Sequence, residues 1–323
     1  MGMKWQGGNS NVPAFLAIGG LLLLSAVGAA ISPDTSERSE SPRTSLASSR
    51  PTRSVLSQNE EVFDITRSPY YGQIRISAGN GRSAYQPYLE YITIQRNSSK
   101  DENPINITGW SVENGASSRK YQIGYNVFFG NSSRVYIPQG ANLFIPGAQN
   151  TLGPILLKPG DKAVLLTGSM PPVTDYTISS FRVNKCSGYI EEDESVKFSP
   201  AISRSCPDYR AYPEVNDFER SCYDFVRRMR RCHTPELKDV RRPDGGLDVG
   251  TVDGVLGLTN SCKAFIQTTF NYNSCVARHL NDEDFYKKEW RVFLGQPWEL
   301  WAKERETITL YDQSGRIVNQ TSY

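Results

Sequence analysis

The cysteines constrain this sequence more than any other feature. All six lie between residues 186 and 275, at Cys186, Cys206, Cys222, Cys232, Cys262 and Cys275. An even number of cysteines confined to one region is typical of a disulfide framework, and such a framework persists in an oxidising compartment. The sequence therefore predicts a disulfide-bonded region that lies outside the cytoplasm.

The pairing of these cysteines is open, because six cysteines allow fifteen connectivities. If residues 222–232 and 262–275 form the two arms of an antiparallel hairpin, the expected pairs are Cys222 with Cys275, Cys232 with Cys262, and Cys186 with Cys206. The spacing argues against a single continuous helix over the second arm, residues 262–275, since an ideal helix does not place residues 262 and 275 on the same face. We expect that helix to end near residues 271–273, with Cys275 beginning the next one.

Zinc is the alternative use of these residues. Sulfur and nitrogen ligands are available from Cys232, His233, Cys262, Cys275 and His279. The paired C-x₂-C knuckles of common zinc modules are absent, however, and export favours oxidation of the thiols. The sequence therefore favours disulfides, and it assigns no metal or other cofactor.

The N-terminus contains an apolar stretch. Residues 12–31, VPAFLAIGGLLLLSAVGAAI, have no charged member, and a helix of this length spans roughly 30 Å, the hydrocarbon thickness of a bilayer. Lys4 precedes the stretch, which places residues 1–11 in the cytoplasm and the rest of the chain outside. Small residues at 27–30 also suit signal-peptidase cleavage, which would make the protein secreted. A retained membrane anchor is the favoured interpretation.

Residues 32–69 are rich in Ser, Pro, Arg and Glu and poor in large apolar side chains. Such a composition does not bury enough surface to offset the entropy of ordering, so this segment is predicted to be a disordered linker. The formal net charge of the whole chain is only +2, and no nucleic acid is expected as a partner.

From residue 70 onward the pattern becomes that of short strands. The segments GQIRISA, LEYITIQ, NITGWSVEN, RVYIPQG and PILLKPGDKAVLLTG follow one another with turn residues between them. In LEYITIQ, for example, Ile92 and Ile94 alternate with Tyr91, Thr93 and Gln95. Regularly spaced short strands with such turns favour a β-sandwich or barrel.

Residues 182–300 interrupt this pattern with two predicted helices. One covers residues 222–232, where Cys222, Phe225, Met229 and Cys232 form a stripe. The other covers residues 281–295, with an Asp cap near Asp282 and Gly295 at the stop position. Between them, residues 241–257 are glycine-rich and contain three aspartates without EF-hand spacing, which predicts a flexible loop. The expectation is a cysteine-rich helical insert.

The chain ends with ETITLYDQSGRIVNQTSY, which predicts a β-hairpin. Ile308 and Leu310 alternate with polar neighbours, and Asp312 and Gly315 occupy the first and last places of a type I turn. A hairpin needs a sheet to join, so these residues are expected to complete a domain whose strands began about two hundred residues earlier.

The ordered set of strand motifs resembles the lamin-tail domain in its bacterial secreted form. The resemblance is carried by an ITGWS strand, an IPQG turn, an LLKPGDKAVLLTG hairpin and the closing TITLYDQSGRIV. It covers about residues 70–170 and 296–323, and the insert separates its two parts. The resemblance implies a mainly β, immunoglobulin-like β-sandwich that serves as an interaction or envelope-associated module, and it brings no catalytic residues with it.

Two groups of side chains remain candidates for function. The RRMRR run supplies Arg227, Arg228, Arg230 and Arg231, which form either a solvated helix face or a binding surface for a protein or an envelope polymer. His279, near Asp282 and Asp284, is the candidate centre of a secreted hydrolase such as a nuclease. Because no catalytic motif accompanies it, the preferred expectation is a non-catalytic, membrane-anchored interaction or cell-envelope protein.

Overall fold

The computed structural model of the chain describes residues 66–115, 118–123, 126–131, 134–170, 176–192 and 196–323. This part is mainly β and contains four α-helices: α1 Gly188–Glu192, α2 Arg220–Arg228, α3 Asn260–Thr269 and α4 Tyr272–His279. The strands are β1 Ile74–Ser77, β2 Tyr91–Arg96, β3 Ile105–Asn106, β4 Ser111–Asn114, β5 Ser118–Ile123, β6 Asn126–Asn131, β7 Arg134–Tyr136, β8 Gly140–Ala141, β9 Leu152–Gly153, β10 Leu156–Leu157, β11 Lys162–Leu166, β12 Phe181–Asn184, β13 Leu237–Arg241, β14 Leu247–Val252, β15 Tyr286–Phe293, β16 Thr307–Tyr311 and β17 Ile317–Ser322.

Two sheets form the body of the molecule. The larger has seven strands in the order β1-β2-β11-β15-β12-β8-β9, and the smaller has four in the order β17-β16-β4-β7. The larger sheet is mixed, because β15 runs parallel to β11 and β12 runs parallel to β8, while its other pairs are antiparallel. The pairs β3–β10, β5–β6 and β13–β14 form separate two-stranded ribbons.

The C-terminal hairpin is confirmed. The Gly315 amide donates to the Asp312 carbonyl at 2.9 Å, and Gly315 has a φ of 78°, which glycine adopts without steric cost. The Asp312 side chain also accepts hydrogen bonds from the amides of Ser314 and Arg316, which fixes the turn. Strand β16 pairs with β4, so the last residues join a strand formed near residue 112, as the sequence predicted.

The two sheets share one hydrophobic core, here called the sandwich core. The larger sheet contributes apolar side chains from β1, β2, β11 and β15, and the smaller contributes Val112, Val135, Ile308, Leu310 and Val318. In β2 the buried residues are Ile92, Ile94 and Arg96, the alternation of a strand with one face inward. The observed alternation confirms the strand pattern read from the sequence.

A second core covers the opposite face of the larger sheet and is here called the helix-side core. It includes Val164, Phe181, Phe293 and the disulfide sulfurs of Cys186 and Cys275. A third, smaller cluster unites α2, α3 and the two short 3₁₀ turns Tyr209–Ala211 and Pro213–Asp217 around the Cys222–Cys262 disulfide. The cysteine-rich region is therefore a layer on the sheet.

The predicted helix at residues 281–295 is wrong, because residues 286–293 form β15 in the middle of the larger sheet. Its second half, Trp290 to Phe293, is buried on both faces. A strand buried on both sides has no alternation, and its apolar run resembles that of a buried helix. The acidic residues at 282–284 precede a strand here. As a consequence, β12 and β15 belong to the sheet, and the layer is shorter than residues 182–300.

Three further local predictions need correction. Helix α2 ends at Arg228, so Met229 and Cys232 lie beyond it, and Cys232 has a positive φ of 63°. The predicted flexible loop at 241–257 contains β14, which pairs with β13. The Lys158–Asp161 turn is present, but it is not a hairpin, since β10 pairs with β3 and β11 pairs with β2 and β15.

The disulfides form as predicted, but the proposed pairing is wrong. The structure joins Cys186 to Cys275, Cys206 to Cys232, and Cys222 to Cys262. The expected break between α3 and α4 is present at Phe270 and Asn271, and Asn271 caps α4 through the Ser274 amide. The pairing differs because α2 ends at Arg228 and leaves Cys232 beyond it, where Cys232 bonds to Cys206, while Cys262 of α3 bonds to Cys222 of α2.

The predicted membrane segment at residues 12–31 lies outside the described residues. None of the helices among the described residues is long and apolar enough to cross a bilayer. Most of the predicted linker, 32–69, is also outside them, but its last residues already join the fold. Ser68 is buried and its amide donates to the Ile317 carbonyl at 2.9 Å.

Non-reducing proteolysis tests the disulfide pairing directly. We expect linked peptides that contain Cys186 with Cys275, Cys206 with Cys232, and Cys222 with Cys262, because each pair is buried and within bonding distance. The same digest after reduction is the control. A peptide that joins Cys222 to Cys275 would support the hairpin pairing instead.

A buried carboxyl group joins three segments of the chain that lie outside the strands. Glu90 has no solvent exposure, and its Oε2 accepts hydrogen bonds from both the Thr167 hydroxyl and the Leu300 amide at 2.7 Å. Burial raises the pKa of Glu90 from 4.5 to about 7, although these hydrogen bonds lower it in part. The group therefore holds a proton over a pH range in which an unfolded chain has lost it.

The raised pKa of Glu90 makes stability depend on pH. Its contribution is complete below pH 4.5 and is lost as the pH rises through about 7. We expect the free energy of unfolding to fall by roughly 2–3 kcal/mol between pH 5 and pH 8 from this group alone. Glu90→Gln should remove that part of the pH dependence in urea unfolding, whereas the exposed control Glu102→Gln should keep it. Equal slopes for Glu90→Gln and the parent would contradict the assignment.

Candidate functional site

The four arginines of the RRMRR run divide between the end of α2 and the segment that follows it. Arg227 and Arg228 end α2, whereas Arg230 and Arg231 follow it. Arg230 forms an ion pair with Glu192 at 3.0 Å, and Arg231 forms one with Asp208 at 3.0 Å. Each of these two cations thus cross-links separate segments of the cysteine-rich layer. The use of all four as a binding surface stays a prediction.

Asp208 shows how firmly this region is tied together. It accepts hydrogen bonds from the side chain and the amide of Arg210 as well as from Arg231. The hydrogen bond from the Arg210 guanidinium holds the pKa of Asp208 at about 2, so this carboxylate is ionised at every physiological pH. The acid–arginine contacts here stabilise the layer around Cys206 and Cys232.

The zinc alternative is not compatible with the observed disulfides. The sulfurs of Cys232, Cys262 and Cys275 belong to three different disulfides, so they do not converge on one site. His233 instead forms a hydrogen bond between its Nε2 and an Asp253 carboxylate oxygen at 2.8 Å. The group of Glu219, Cys222 and Cys262 has ligand-like spacing, but two of its three members are bonded to each other.

His279 forms the contact that a catalytic dyad would need, but it faces inward. Its Nδ1 lies 2.8 Å from an Asp282 carboxylate oxygen, and Lys185 donates to the same oxygen at 2.7 Å. The Lys185 hydrogen bond lowers the pKa of Asp282. The other ring nitrogen, Nε2, is buried, and a general base must reach the proton that it removes. The dyad therefore fits a structural role.

A cavity lies beside the part of the larger sheet that contributes nothing to the sandwich core. Strands β12, β8 and β9 contribute no side chain to the sandwich core. Arg182 of β12 lies directly opposite Trp290 of β15, so both side chains are on the sandwich-facing side of the sheet. Beyond Trp290 the core ends and an open cleft begins, here called the overhang cleft.

The overhang cleft has the size and composition of a small-molecule site. Its volume is about 680 Å³, within the range of roughly 300–1,000 Å³ that is usual for ligand pockets. The apolar part of its wall consists of Leu143, Ile145, Leu152, Pro154, Leu156 and Trp290. Leu152 is 46% exposed and Leu156 is 37% exposed, so this wall retains apolar surface that a ligand can cover.

The walls of the cleft are held in place by hydrogen bonds. The Asn150 side chain accepts from the Ile145 amide at 2.7 Å and donates to the carbonyls of Ile145 and Ala148 at 3.0 Å. On the other side, the Trp290 indole N–H donates to the Leu156 carbonyl at 3.2 Å. These bonds fix the loop and β10 before any ligand binds, so binding would not have to order them.

The cleft has a cationic end. Lys158 and Arg182 are the ionisable side chains among the described lining residues. The Arg182 guanidinium lies 3.7 Å from an Asp161 carboxylate oxygen, and its Nε donates to the Lys287 carbonyl at 3.3 Å. The Tyr286 ring lies 5.1 Å from its central carbon. These contacts position the guanidinium, but 3.7 Å is too long for a hydrogen bond to Asp161.

The sequence reasoning missed this cleft. Most of its residues come from β12, β15 and residues 142–158, with Pro104 and Gly140 in addition, and residues 142–158 have no periodic pattern. Arg182 was a possible signal, since it stands between two buried residues of a strand, Phe181 and Val183. Recognising it required knowing that 286–293 is a strand, and the predicted helix there concealed the pairing with Trp290.

No family model, curated protein or solved structure matches this chain. The resemblance to the lamin-tail domain therefore rests on the strand motifs of the sequence alone.

Asn150→Ala tests whether the cleft wall is preformed. Loss of three hydrogen bonds should lower the free energy of unfolding by roughly 2 kcal/mol. Because the loop is then no longer fixed, we also expect faster hydrogen exchange at the Ile145 amide, which donates to Asn150. Asn142→Ala, an exposed change in the same cleft, is the matched control. Unchanged exchange at Ile145 in the Asn150 variant would show that other contacts hold the loop.

Proposed function

We propose that the chain is a non-catalytic binding protein that works outside the cytoplasm and carries its ligand site in the overhang cleft. The observation that carries this proposal is the composition of the cleft. It combines a fixed apolar wall with two cations, and among its described lining residues there is no nucleophile–base pair. Such a site can bind and orient a molecule, which is the role that this proposal assigns to it.

The disulfides support a location outside the cytoplasm. All six cysteines are paired and buried in the cysteine-rich layer, and structural disulfides are typical of exported proteins. The proposal includes residues 12–31 as a membrane anchor, which would make the protein single-pass with residues 32–323 outside, or a secreted protein if residues 1–30 are removed.

The proposal also includes a lamin-tail-like, immunoglobulin-like sandwich as the frame of the protein. The seven- and four-stranded sheets around one core are consistent with a sandwich. The parallel pairing of β15 with β11 is an addition to the simple antiparallel form of such folds. In this role the sandwich supports the cleft. Other surfaces, including the arginines at 227–231, could at the same time serve a structural role in the cell envelope.

The alternative is a secreted hydrolase with its site near His279. The buried Nε2 disfavours it, because the base would have to move before it met a substrate. His279→Ala separates the two proposals: any hydrolytic activity of the protein should disappear in this variant if the dyad is catalytic. An activity that survives His279→Ala would exclude the dyad.

Intact-mass measurement of the protein recovered from its own host tests the location. The protein should be alkylated in denaturant, with and without prior reduction, so that buried thiols also react. We expect no label before reduction and six labels after it, one for each cysteine. The same mass shows whether residues 1–30 remain. Labelling before reduction would contradict export and would return attention to zinc at Cys232, Cys262, Cys275 and His279.

A further inference from the structure

We propose that the overhang cleft binds a small carboxylic acid with an apolar body, such as a medium-chain aliphatic acid. The inference rests on the proposed function, since it names the ligand class of the same cleft. The apolar part of the ligand would lie along Leu152, Leu156 and Trp290, and its carboxylate would meet Arg182 and Lys158.

The exposed leucines of the cleft favour a ligand with an apolar body. Leu152 of β9 and Leu156 of β10 are among the large hydrophobic residues that remain exposed, and both line the cleft. Gly153 lies between them in sequence, and a Cβ built there meets no heavy atom within 4 Å, so this part of the wall borders open space. A hydrocarbon chain covers this surface and gains the free energy of its burial.

The positive charge of the cleft favours an anionic ligand. Two cations, Arg182 and Lys158, line the cleft, and no carboxylate does so among the described residues. Asp161 forms an ion pair with Arg182 at 3.7 Å and offsets part of its charge, but it is buried in the turn, accepts a hydrogen bond from the Lys158 amide at 3.1 Å and does not line the cleft. A cationic ligand would therefore find no carboxylate among the described lining residues, whereas an anion would meet both cationic side chains.

Arg182 favours a carboxylate in particular. Its side chain is only 16% exposed, and it is fixed by the Lys287 carbonyl and the Tyr286 ring. A positioned guanidinium presents paired N–H donors that match the two oxygens of a carboxylate, and such charge-assisted bonds are among the strongest in proteins. The end of the cleft with Arg182 is thus prepared for an acid group attached to an apolar body.

The dimensions of the cleft favour a small ligand over a macromolecule. The open cleft of about 680 Å³ between residues 142–158 and the sheet accommodates a molecule of drug-like size. The neighbouring edge strand β9 has two residues, which offers too short a ladder for an extended peptide to add to the sheet. A free acid in solution is therefore the occupant that fits.

Calorimetric titration with three eight-carbon probes tests the proposal. The full chain in phosphatidylcholine nanodiscs is titrated with octanoate, 1-octanol and octylammonium, with empty nanodiscs as the blank. We expect octanoate to bind about ten-fold more tightly than octanol, and octylammonium to bind more weakly than both, since only octanoate pairs with Arg182 and Lys158. Equal binding of the anion and the cation, or no binding of octanoate, would overturn the proposal.

Variants assign the binding to the cleft. Arg182→Gln and Lys158→Gln should each weaken octanoate binding, by about ten-fold for Arg182, and leave octanol binding unchanged. Gly153→Leu should block all probes by filling the cleft. Arg75→Gln on β1, at the opposite edge of the same sheet, is the control and should bind octanoate as the parent does. Lys158 is exposed, so its variant keeps the test valid if Arg182→Gln does not fold.

The outcomes separate this inference from the proposed function. Intact disulfides with no octanoate binding would overturn the ligand class and leave an exported binding protein. Binding only to vesicles that contain anionic lipid, with none to octanoate, would mean that the surface charge of the protein recognises a membrane and that the cleft takes no free acid. If the thiols react before reduction while octanoate still binds, the location outside the cytoplasm would be contradicted and the carboxylate site in the cleft would be retained.

Discussion

The fold depends on β15, the strand that separates its two main cores. It pairs with β11 on one side and β12 on the other, and without it the larger sheet would divide into two pieces. On one face Trp290 and Val292 enter the sandwich core, and on the other Phe293 enters the helix-side core. Arg291, almost completely buried on that second face, bonds with Glu289 and donates to the Pro200 and Ala201 carbonyls. One strand thus fixes the sandwich, the cysteine-rich layer and the loop that crosses it.

The same strand explains the position of the cleft. Beyond Trp290 the sandwich-facing positions of the larger sheet are Gly140 and Arg182 in place of large apolar residues. A Cβ at Gly140 would come within 3.1 Å of the Trp290 ring, so the glycine lets the indole close the core. Arg182 then begins the polar side of the cleft. The cleft follows from ending a hydrophobic core in the middle of a sheet.

Much of the sandwich could be predicted from the sequence, since its strands have one buried and one exposed face. Ile92 and Ile94 of β2 and Ile308 and Leu310 of β16 alternate with polar residues, and the Asp312–Gly315 turn fixes the last hairpin. The strand buried on both faces could not be recognised, because Trp290 to Phe293 has no alternation and acidic residues resembling a helix cap precede it. The disulfide pairing was also out of reach, since it depends on the end of α2 at Arg228, which leaves Cys232 outside the helix and free to bond to Cys206. The cleft could not be predicted either, because Arg182 and Trp290 come together only through the pairing of β12 with β15.

The cysteine-rich layer and the overhang cleft are connected, because the cleft residues Leu143 and Ile145 pack against the helix-side core and one side chain of the layer bonds to the residue between them. Tyr272 begins α4, the helix that carries Cys275, and its hydroxyl donates to the Phe144 carbonyl at 2.6 Å. Asn184 at the end of β12 donates to the same hydroxyl at 2.9 Å, and burial raises the pKa of Tyr272 to about 12, so the donor proton is retained. Phe144 stands between Leu143 and Ile145, two residues of the cleft wall. The Cys186–Cys275 disulfide holds α4 against the sheet and thereby supports the loop that forms the wall. Formation of the Cys186–Cys275 disulfide therefore also helps to fix the cleft wall before a ligand binds.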